Sequence, residues 1–331
     1  MTISVALCTY NGQPYLSQQL ASYLTQTRLP DQLVICDDAS TDNTAQLLEA
    51  FARTVPFEVE LHRNTTTLGL VKNFEQAIRY CNKEIIFYSD QDDIWLPTKL
   101  ERMEAAIEEG PGLGAVFCDA EVVDSNLQPR GYTLWQAIGF SPHLQERVLK
   151  GQNADIFMNH SYVGGMSLAF RSRYKPVLLP FVEGFIHDWW TALIIALIDG
   201  ISIIPEVLVK YRQHSHNFGT RIRVSSPQEI FRETVFQKRR TRRSRSFTAR
   251  AMKLEAVRDR LLKVENVSDW PAKAQLLNQN IQHLKRRAAI PSNRLYRLPS
   301  VIREALTLRY HSYGRGTREI LKDLLERDSA S

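Results

Sequence analysis

Five short β-type runs, at residues 4–7, 32–36, 58–62, 84–88 and 114–118, are separated by stretches long enough to hold a helix. Leu16, Leu20 and Leu24 recur every four residues in the first of these stretches, as do Leu70, Phe74 and Ile78 in the third, so the connecting stretches carry an apolar helical face. Strand, crossover helix, strand is the βαβ unit, and its repetition predicts an α/β fold around a mostly parallel sheet. A further helix is expected near Ser40, where Asp42 in the first turn complements the helix dipole. The periodicity weakens from about 120 to 160. An apolar run at 162–170, a helix at 187–198 and a strand at 201–211 are then expected to complete the fold.

With 331 residues, 44% of them hydrophobic, the chain is long enough for a sizeable core in one large domain or two. Its longest apolar stretch, 192–204, is broken by Asp199 and Gly200 and is too short for a membrane span. Met1 leads directly into the first strand with none of the features of a secretion signal, so a cytoplasmic location is expected. Cys8, Cys36, Cys81 and Cys118 lack CxxC spacing and are expected to be reduced core residues. Charge divides the chain more sharply. Residues 1–220 hold 16 Lys and Arg against 25 Asp and Glu, a net of −9, whereas residues 221–331 hold 26 against 11, a net of +15. Two parts are therefore expected, 1–220 and a basic, mainly helical 221–331, whose cluster at 238–245 is suited to an anionic membrane surface.

The strongest chemical signal is an apolar strand ending in Asp90, Gln91, Asp92 and Asp93. On an extended backbone Asp90 and Asp92 share a face, where their like charges call for a cation or ligand. Carboxylate oxygens suit Mg²⁺ or Mn²⁺, and Mg²⁺ is commonly completed by substrate phosphates. A solvated acidic turn is the commoner reading of such a cluster, but the strand in front of it favours a site. The loops at 9–12 and 37–42 also leave strands and belong at the same sheet edge, where open α/β sheets bind ligands. Neither loop is a dinucleotide fingerprint or a Walker A sequence, which argues against hydride transfer and a kinase-type P-loop.

The segments VALCTYNG (5–12), CDDASTD (36–42), Asn64 with LGLVKN (68–73), SDQDDIW (89–95), HDWW (187–190) and YRQHSHN (211–217) follow one another in the order found in family-two glycosyltransferases. Over residues 3–220 the chain most resembles the bacterial rhamnosyltransferase-like branch. The resemblance implies a GT-A nucleotide-diphospho-sugar transferase fold, Rossmann-like with a mixed, mostly parallel sheet, here followed by a basic helical C-terminal extension. It also implies a nucleoside-diphosphate sugar donor, a divalent metal and inversion at the anomeric carbon. Carried onto this sequence, it places Thr9, Tyr10, Asn11 and Asp38 at the nucleoside, and Lys72, Asn73, Asp90 and Gln91 at the donor. Asp92, with Asp90 and His214, falls at the metal, and Asp188 matches the general base. Asp93, Trp95, Gly165, Trp189 and Trp190 fall near the sugar or acceptor, one indole of the Trp pair being expected simply as core.

The resemblance further implies Mn²⁺ or Mg²⁺ as cofactor and a donor such as dTDP-rhamnose or a UDP-sugar. The acceptor would be a saccharide or lipid-linked saccharide of a bacterial surface polysaccharide, reached from the inner face of the cytoplasmic membrane. A metal-dependent nucleotidyltransferase or phosphohydrolase would use the same pocket without needing Asp188. Nucleic-acid binding through the basic tail is disfavoured as the main function, because acidic groups line the pocket and repel phosphates unless a metal intervenes.

Overall fold

The computed structural model describes residues 1–215, 243–264, 269–291, 296–313 and 316–325. The chain divides into two compact units, Met1–Asn153 with Ser161–Arg223, and Ala154–His160 with Val224–Ser331. The boundary expected near 220 lies outside the described residues, and the segment 154–160 joins the second unit.

The first unit is built on a nine-stranded sheet. Its strands are β1 (Ile3–Thr9), β2 (Gln32–Asp37), β3 (Glu58–Arg63), β4 (Ile85–Ser89), β5 (Ile94–Trp95), β6 (Ala115–Asp124), β7 (Pro129–Thr133), β8 (Leu168–Arg171) and β9 (Ile201–Gln213). The order is β3-β2-β1-β4-β8-β6-β9-β5, with β7 beside β6. β1, β2, β3 and β4 are parallel, whereas β8 runs against both β4 and β6. β9 is parallel to β6 and β5 antiparallel to β9, so the sheet is mixed. Every residue of β1, β2 and β4 is buried, as expected of central strands covered on both faces, while β3 is half exposed at the edge.

Helices α1 (Gln13–Leu24), α2 (Thr44–Ala52), α3 (Leu70–Tyr80) and α4 (Lys99–Glu109) connect the early strands. Leu16 and Leu20 of α1 and Phe74 and Ile78 of α3 are buried, as their spacing predicts, whereas Leu24 is exposed. α2 starts at Thr44, with the Asp42 carboxylate accepting from the Thr44 amide (3.0 Å) just ahead of it. The weakly periodic middle contains β7 and short helices, and the apolar run at 162–170 contains a 3₁₀ turn, Gly165–Ser167, leading into β8. The helix His187–Ile198 is buried over ten of its twelve residues, and all four cysteines are free and buried.

Topology selects the site. β1 has β2 on one side and β4 on the other, so the crossovers change direction here, and ligands bind open sheets at the carboxyl ends flanking such a point. The register sets Thr9 beside Asp37 and Leu7 beside Ser89, which brings the loops after β1, β2 and β4 to one edge.

The second unit is helical over its described residues. Helices Arg243–Leu261 and Trp270–Ala288 pack together, with Leu254, Val257, Leu261, Leu277, Ile281 and Leu284 buried. Helices Arg297–Ala305, Arg309–Tyr313 and Thr317–Leu325 follow. Residues 238–242 of the basic cluster lie outside the described residues.

Gly114 marks a close joint between sheet and helix. A Cβ there would lie 2.4 Å from Ile195 Cγ2 and 2.7 Å from the Tyr174 ring. Gly114→Ala is expected to destabilise the protein by about 1–3 kcal/mol through overpacking, read from urea unfolding.

Candidate active site

The first two loops are bound to each other before any ligand is considered. Thr9 Oγ1 donates to Asp37 Oδ1 (2.8 Å), the Asn11 amide to Ser40 Oγ (2.9 Å) and the Thr41 amide to Asn11 Oδ1 (2.9 Å). Asn11 has φ +48, a left-handed conformation that Asn tolerates better than most residues. Thr9 is thus buried in the strand-to-strand joint, while Tyr10 stands half exposed beyond it.

Gln91 fastens this pair of loops to the acidic loop. Its Oε1 accepts from the Tyr10 amide (2.8 Å) and its Nε2 donates to the Tyr10 carbonyl (3.0 Å). Gly12 makes room for it, since a Cβ there would lie 2.3 Å from Gln91 Oε1. Asp38 performs a similar task on the other side. Its carboxylate accepts from Asn64 Nδ2 (2.8 Å) and from the amides of Leu68 (2.7 Å) and Gly69 (2.8 Å). Asn73 bridges Asn64 to the Cys36 carbonyl, and Lys72 pairs with Glu75. Asp38 and Asn73 therefore fasten the segment after β3 to the end of β2, and the side-chain bonds of Lys72 and Asn73 go to Glu75, Asn64 and Cys36 and not to the acidic loop.

The acidic loop holds its charges in different ways. Asp93 is fully buried, with Oδ1 accepting from the Arg212 amide (3.0 Å) and Oδ2 unpartnered. Burial, followed by Asp92 and Asp90, pushes its carboxyl well above the ordinary range. It is an internal acid, which corrects the expectation of a sugar contact. Asp90 is pushed up to about 7 by burial first and then by Asp92 and Asp188. Asp92 Oδ2 lies 2.8 Å from His214 Nε2, and the His214 ring stacks on Tyr15 with centroids 4.5 Å apart. His216 and Asn217, at the end of the same segment, lie outside the described residues.

Asp188 reaches the cluster through the turn before β8. A Cβ on Gly165 in that turn would stand 3.7 Å from Asp90 Oδ2, and the charge of Asp188 raises the Asp90 pKa, so two carboxylates from distant parts of the chain meet beside it. Burial pushes Asp188 up to about 7, opposed by the hydrogen bond from the Trp189 amide. Gly165 must lack a side chain, because a Cβ would lie 2.7 Å from His187 Nε2. His187 is buried and stacked on Phe74 (3.9 Å), and neither ring nitrogen has a hydrogen-bond partner. Burial pushes its pKa down to about 3, so it is neutral.

Two cations escaped the sequence reading. Lys99, fully buried in the first turn of α4, donates to the Met166 carbonyl (2.8 Å) and sits 3.2 Å from the Trp95 ring centroid. Burial pushes it down to about 7, opposed by the charges of Cys118, Asp93 and Asp90. Arg212 donates to the Asp92 carbonyl (2.7 Å), the Ser125 carbonyl (2.7 Å) and Gln18 Oε1 (2.6 Å). A lysine at the end of a helix that favours anions was the available signal for Lys99. For Arg212 the signal was an arginine near the end of the strand that leads to His214.

The indoles separate by burial. Trp95 is 1% exposed, set edge-on to Tyr23, and is core, which corrects its assignment to the sugar. Trp190 is also core, its Nε1 donating to the Leu178 carbonyl (2.9 Å), so its expected sugar contact is corrected as well. Trp189 is partly exposed, packed on Phe185.

Among the described residues no three His, Cys, Asp or Glu side chains form a closed metal cage. Asp92 Oδ2 and His214 Nε2, 2.8 Å apart, are spaced as a hydrogen-bonded pair, and neighbouring donors of an octahedral ion with bonds of roughly 2.1 Å stand about 3 Å apart. The donor chemistry nevertheless fits a hard cation completed by phosphate oxygens, because Asp90 and Asp92 are crowded like charges that raise the Asp90 pKa.

The family model for glycosyl transferase family 2 matches residues 4–172, and the chain belongs to that family. An uncharacterized glycosyltransferase of Nostoc, alr2836, is 28% identical over 222 residues, covering 66% of each chain. The dTDP-rhamnosyl transferase RfbG of Shigella flexneri is 34% identical over 99 residues, 29% of this chain and 34% of RfbG. The chain spans about three fifths to two thirds of the length of its first curated relatives. Among solved structures, S. aureus TarS 1–349 in complex with UDP-GlcNAc aligns with TM-score 0.55 at 17% identity, over 97% of this chain and 90% of that one. Mannosyltransferase PcManGT from Pyrobaculum calidifontis, in complex with GDP-Man and Mn²⁺, aligns with TM-score 0.54 at 18% identity, over 93% and 74%. These likenesses establish the GT-A fold.

The raised Asp188 pKa makes a stability prediction with a definite sign. An unfolded Asp titrates near 3.9, so the folded state holds this proton more tightly. The stabilisation is complete below about pH 4 and is lost as pH rises through about 7. Asp188→Asn is expected to melt at a higher temperature than the wild type at pH 8, with the gap shrinking at pH 5.

Proposed function

We propose that this chain is an inverting glycosyltransferase that moves a sugar from a nucleoside-diphosphate donor to an acceptor hydroxyl, with Asp188 as general base. The observation that carries this reading is the meeting of Asp188 and Asp90 beside the Gly165 turn, where the charge of Asp188 raises the Asp90 pKa. A base beside the carboxylate assigned to the donor is what sugar transfer requires.

As the acceptor oxygen attacks the anomeric carbon, the hydroxyl proton passes to an Asp188 carboxylate oxygen. The bond from that carbon to the diphosphate breaks on the opposite face, and its electron pair leaves with the diphosphate. Direct displacement of this kind inverts the anomeric centre. A carboxyl pushed up to about 7 is a stronger base than a solvated one, yet is still ionised in a useful fraction near neutrality. The diphosphate leaves without a proton, so no second acid is needed, in contrast to glycoside hydrolysis.

Asp92, with Asp90 and His214, would hold Mn²⁺ or Mg²⁺, which when bound neutralises charge growing on the diphosphate as a Lewis acid. Tyr10, exposed at the end of β1, is available to stack on the nucleoside base, and Gln91 sets its backbone. Trp189 is the indole left to meet acceptor. dTDP-rhamnose is the leading donor and a UDP-sugar the second, a choice supported by the likeness to RfbG over 99 residues. The proposed acceptor is a saccharide or lipid-linked saccharide in surface-polysaccharide synthesis, at the cytoplasmic face of the membrane. No described helix is long and apolar enough to cross a membrane, which accords with a peripheral arrangement.

Asp188→Asn is expected to lower sugar transfer by about 10²–10⁴-fold while nucleoside-diphosphate affinity changes by less than about threefold. In the wild type, kcat is expected to rise with pH and reach half its plateau near pH 7, because the base must be ionised. Transfer by Asp188→Asn at the wild-type rate would remove the base from the proposal.

A further inference from the structure

Two helices of the second unit present their side chains the wrong way round for a helix in water. In Arg297–Ala305 the buried residues are Arg297, Val301 and Glu304. Leu298 and Ile302 face outward, and Leu306 continues their four-residue spacing just beyond the helix. In Thr317–Leu325 the buried residue is Asp323, while Leu321 and Leu325 are exposed. Together with Leu308, these six aliphatic side chains are each between 49% and 80% exposed. The two helices pack beside each other, so their outward residues belong to neighbouring surfaces.

The carboxylates have gone inward. Glu304 lies 2.7 Å from His283 Nδ1 and accepts from Arg286 (3.0 Å). Asp323 accepts from Arg287 Nε (2.8 Å) and from the Tyr310 hydroxyl (2.6 Å). Glu319 is partly buried and paired with Arg287. Among the described residues from 296 to 325 no Asp or Glu is therefore exposed, whereas Arg303, Arg318 and Lys322 are. The described acids that would repel an anionic surface are sequestered, and the charged side chains left exposed there are cationic.

We propose that this face, carried by Leu298, Ile302, Leu306, Leu308, Leu321 and Leu325 with Arg303, Arg318 and Lys322, docks the protein on a bilayer bearing anionic headgroups. Aliphatic side chains at the depth of the acyl boundary, with cations at the headgroups, are the two contributions that hold a helix in a membrane interface. Charge selects the occupant. A bilayer of anionic lipid complements a face on which no described carboxylate is exposed, and the net of +15 over residues 221–331 acts in the same direction. The surface is separate in sequence from the basic cluster at 238–245. It is also independent of the donor site, so it stands or falls apart from the proposed sugar transfer.

The test is flotation of the full chain with vesicles of phosphatidylcholine and phosphatidylglycerol at 70:30, against phosphatidylcholine alone. Wild type is expected to partition at least tenfold more strongly to the anionic vesicles. Ile302→Asp with Leu306→Asp is expected to reduce that partitioning at least tenfold with an unchanged melting temperature, since both positions are exposed. Arg303→Gln, Arg318→Gln and Lys322→Gln together are expected to reduce the preference for phosphatidylglycerol at least threefold. Absence of wild-type binding overturns the proposal, as does binding of the aspartate variant at the wild-type level. So does a wild-type dimer that the aspartate variant dissociates while vesicle binding is absent, which would make the face a contact between copies.

Discussion

Asp90, Asp92, Asp93 and Asp188 are gathered at the carboxyl edge of one sheet, where their charges repel and burial withholds the water that would screen them. An uncompensated arrangement of this kind would cost several kcal/mol per ion, so the surrounding structure is arranged to supply partners. Lys99 is buried beside the cluster, Arg212 of β9 donates to the Asp92 carbonyl, and the Gly165 turn before β8 comes close to Asp90. Compensation is incomplete. Asp93 keeps an unpartnered oxygen, and Asp90 and Asp188 remain pushed up to about 7. A site that still lacks positive charge after its own cations are counted is suited to a cation and a diphosphate arriving together.

The same constraint explains features that look structural. Gly12 and Gly165 lack side chains because Gln91 and His187 occupy the space, and both glycines lie where one segment is fastened to another across the site. Asp38 accepts three hydrogen bonds from the loop after β3, so a carboxylate just beyond β2 fastens that loop to the sheet edge. Lys99 couples the parts most directly, since its ammonium holds the Met166 carbonyl before β8 while the charges of Asp93 and Asp90 act on it.

Much of this was legible in the order of the residues, and the limits have physical causes. Continuous apolar runs identified the central strands because burial on both faces leaves no alternation to misread, and the acidic loop stood out because it follows one of them. β5 and β7 escaped because a two-residue strand and an exposed hairpin arm carry almost no pattern. Trp95 and Trp190 were assigned to the sugar by their place beside the motifs, but an indole in a core and one at a ligand read alike in sequence. The contact between Lys99 and Met166 spans 67 residues, and no local spacing reveals it. In the second unit, net charge was visible, but the inward turn of Glu304 and Asp323 depends on partners from other helices.

The central claim is that the acidic cluster is a cation-dependent diphosphate site. Its most direct test is calorimetric titration of UDP, dTDP, GDP and CDP into the full chain, with and without Mn²⁺, beside Asp92→Ala. The account predicts that one nucleoside diphosphate binds, that Mn²⁺ strengthens binding at least tenfold, and that Asp92→Ala removes the Mn²⁺ effect. Nucleotide binding that is indifferent to both Mn²⁺ and Asp92→Ala, or no binding of any of the four, would contradict it.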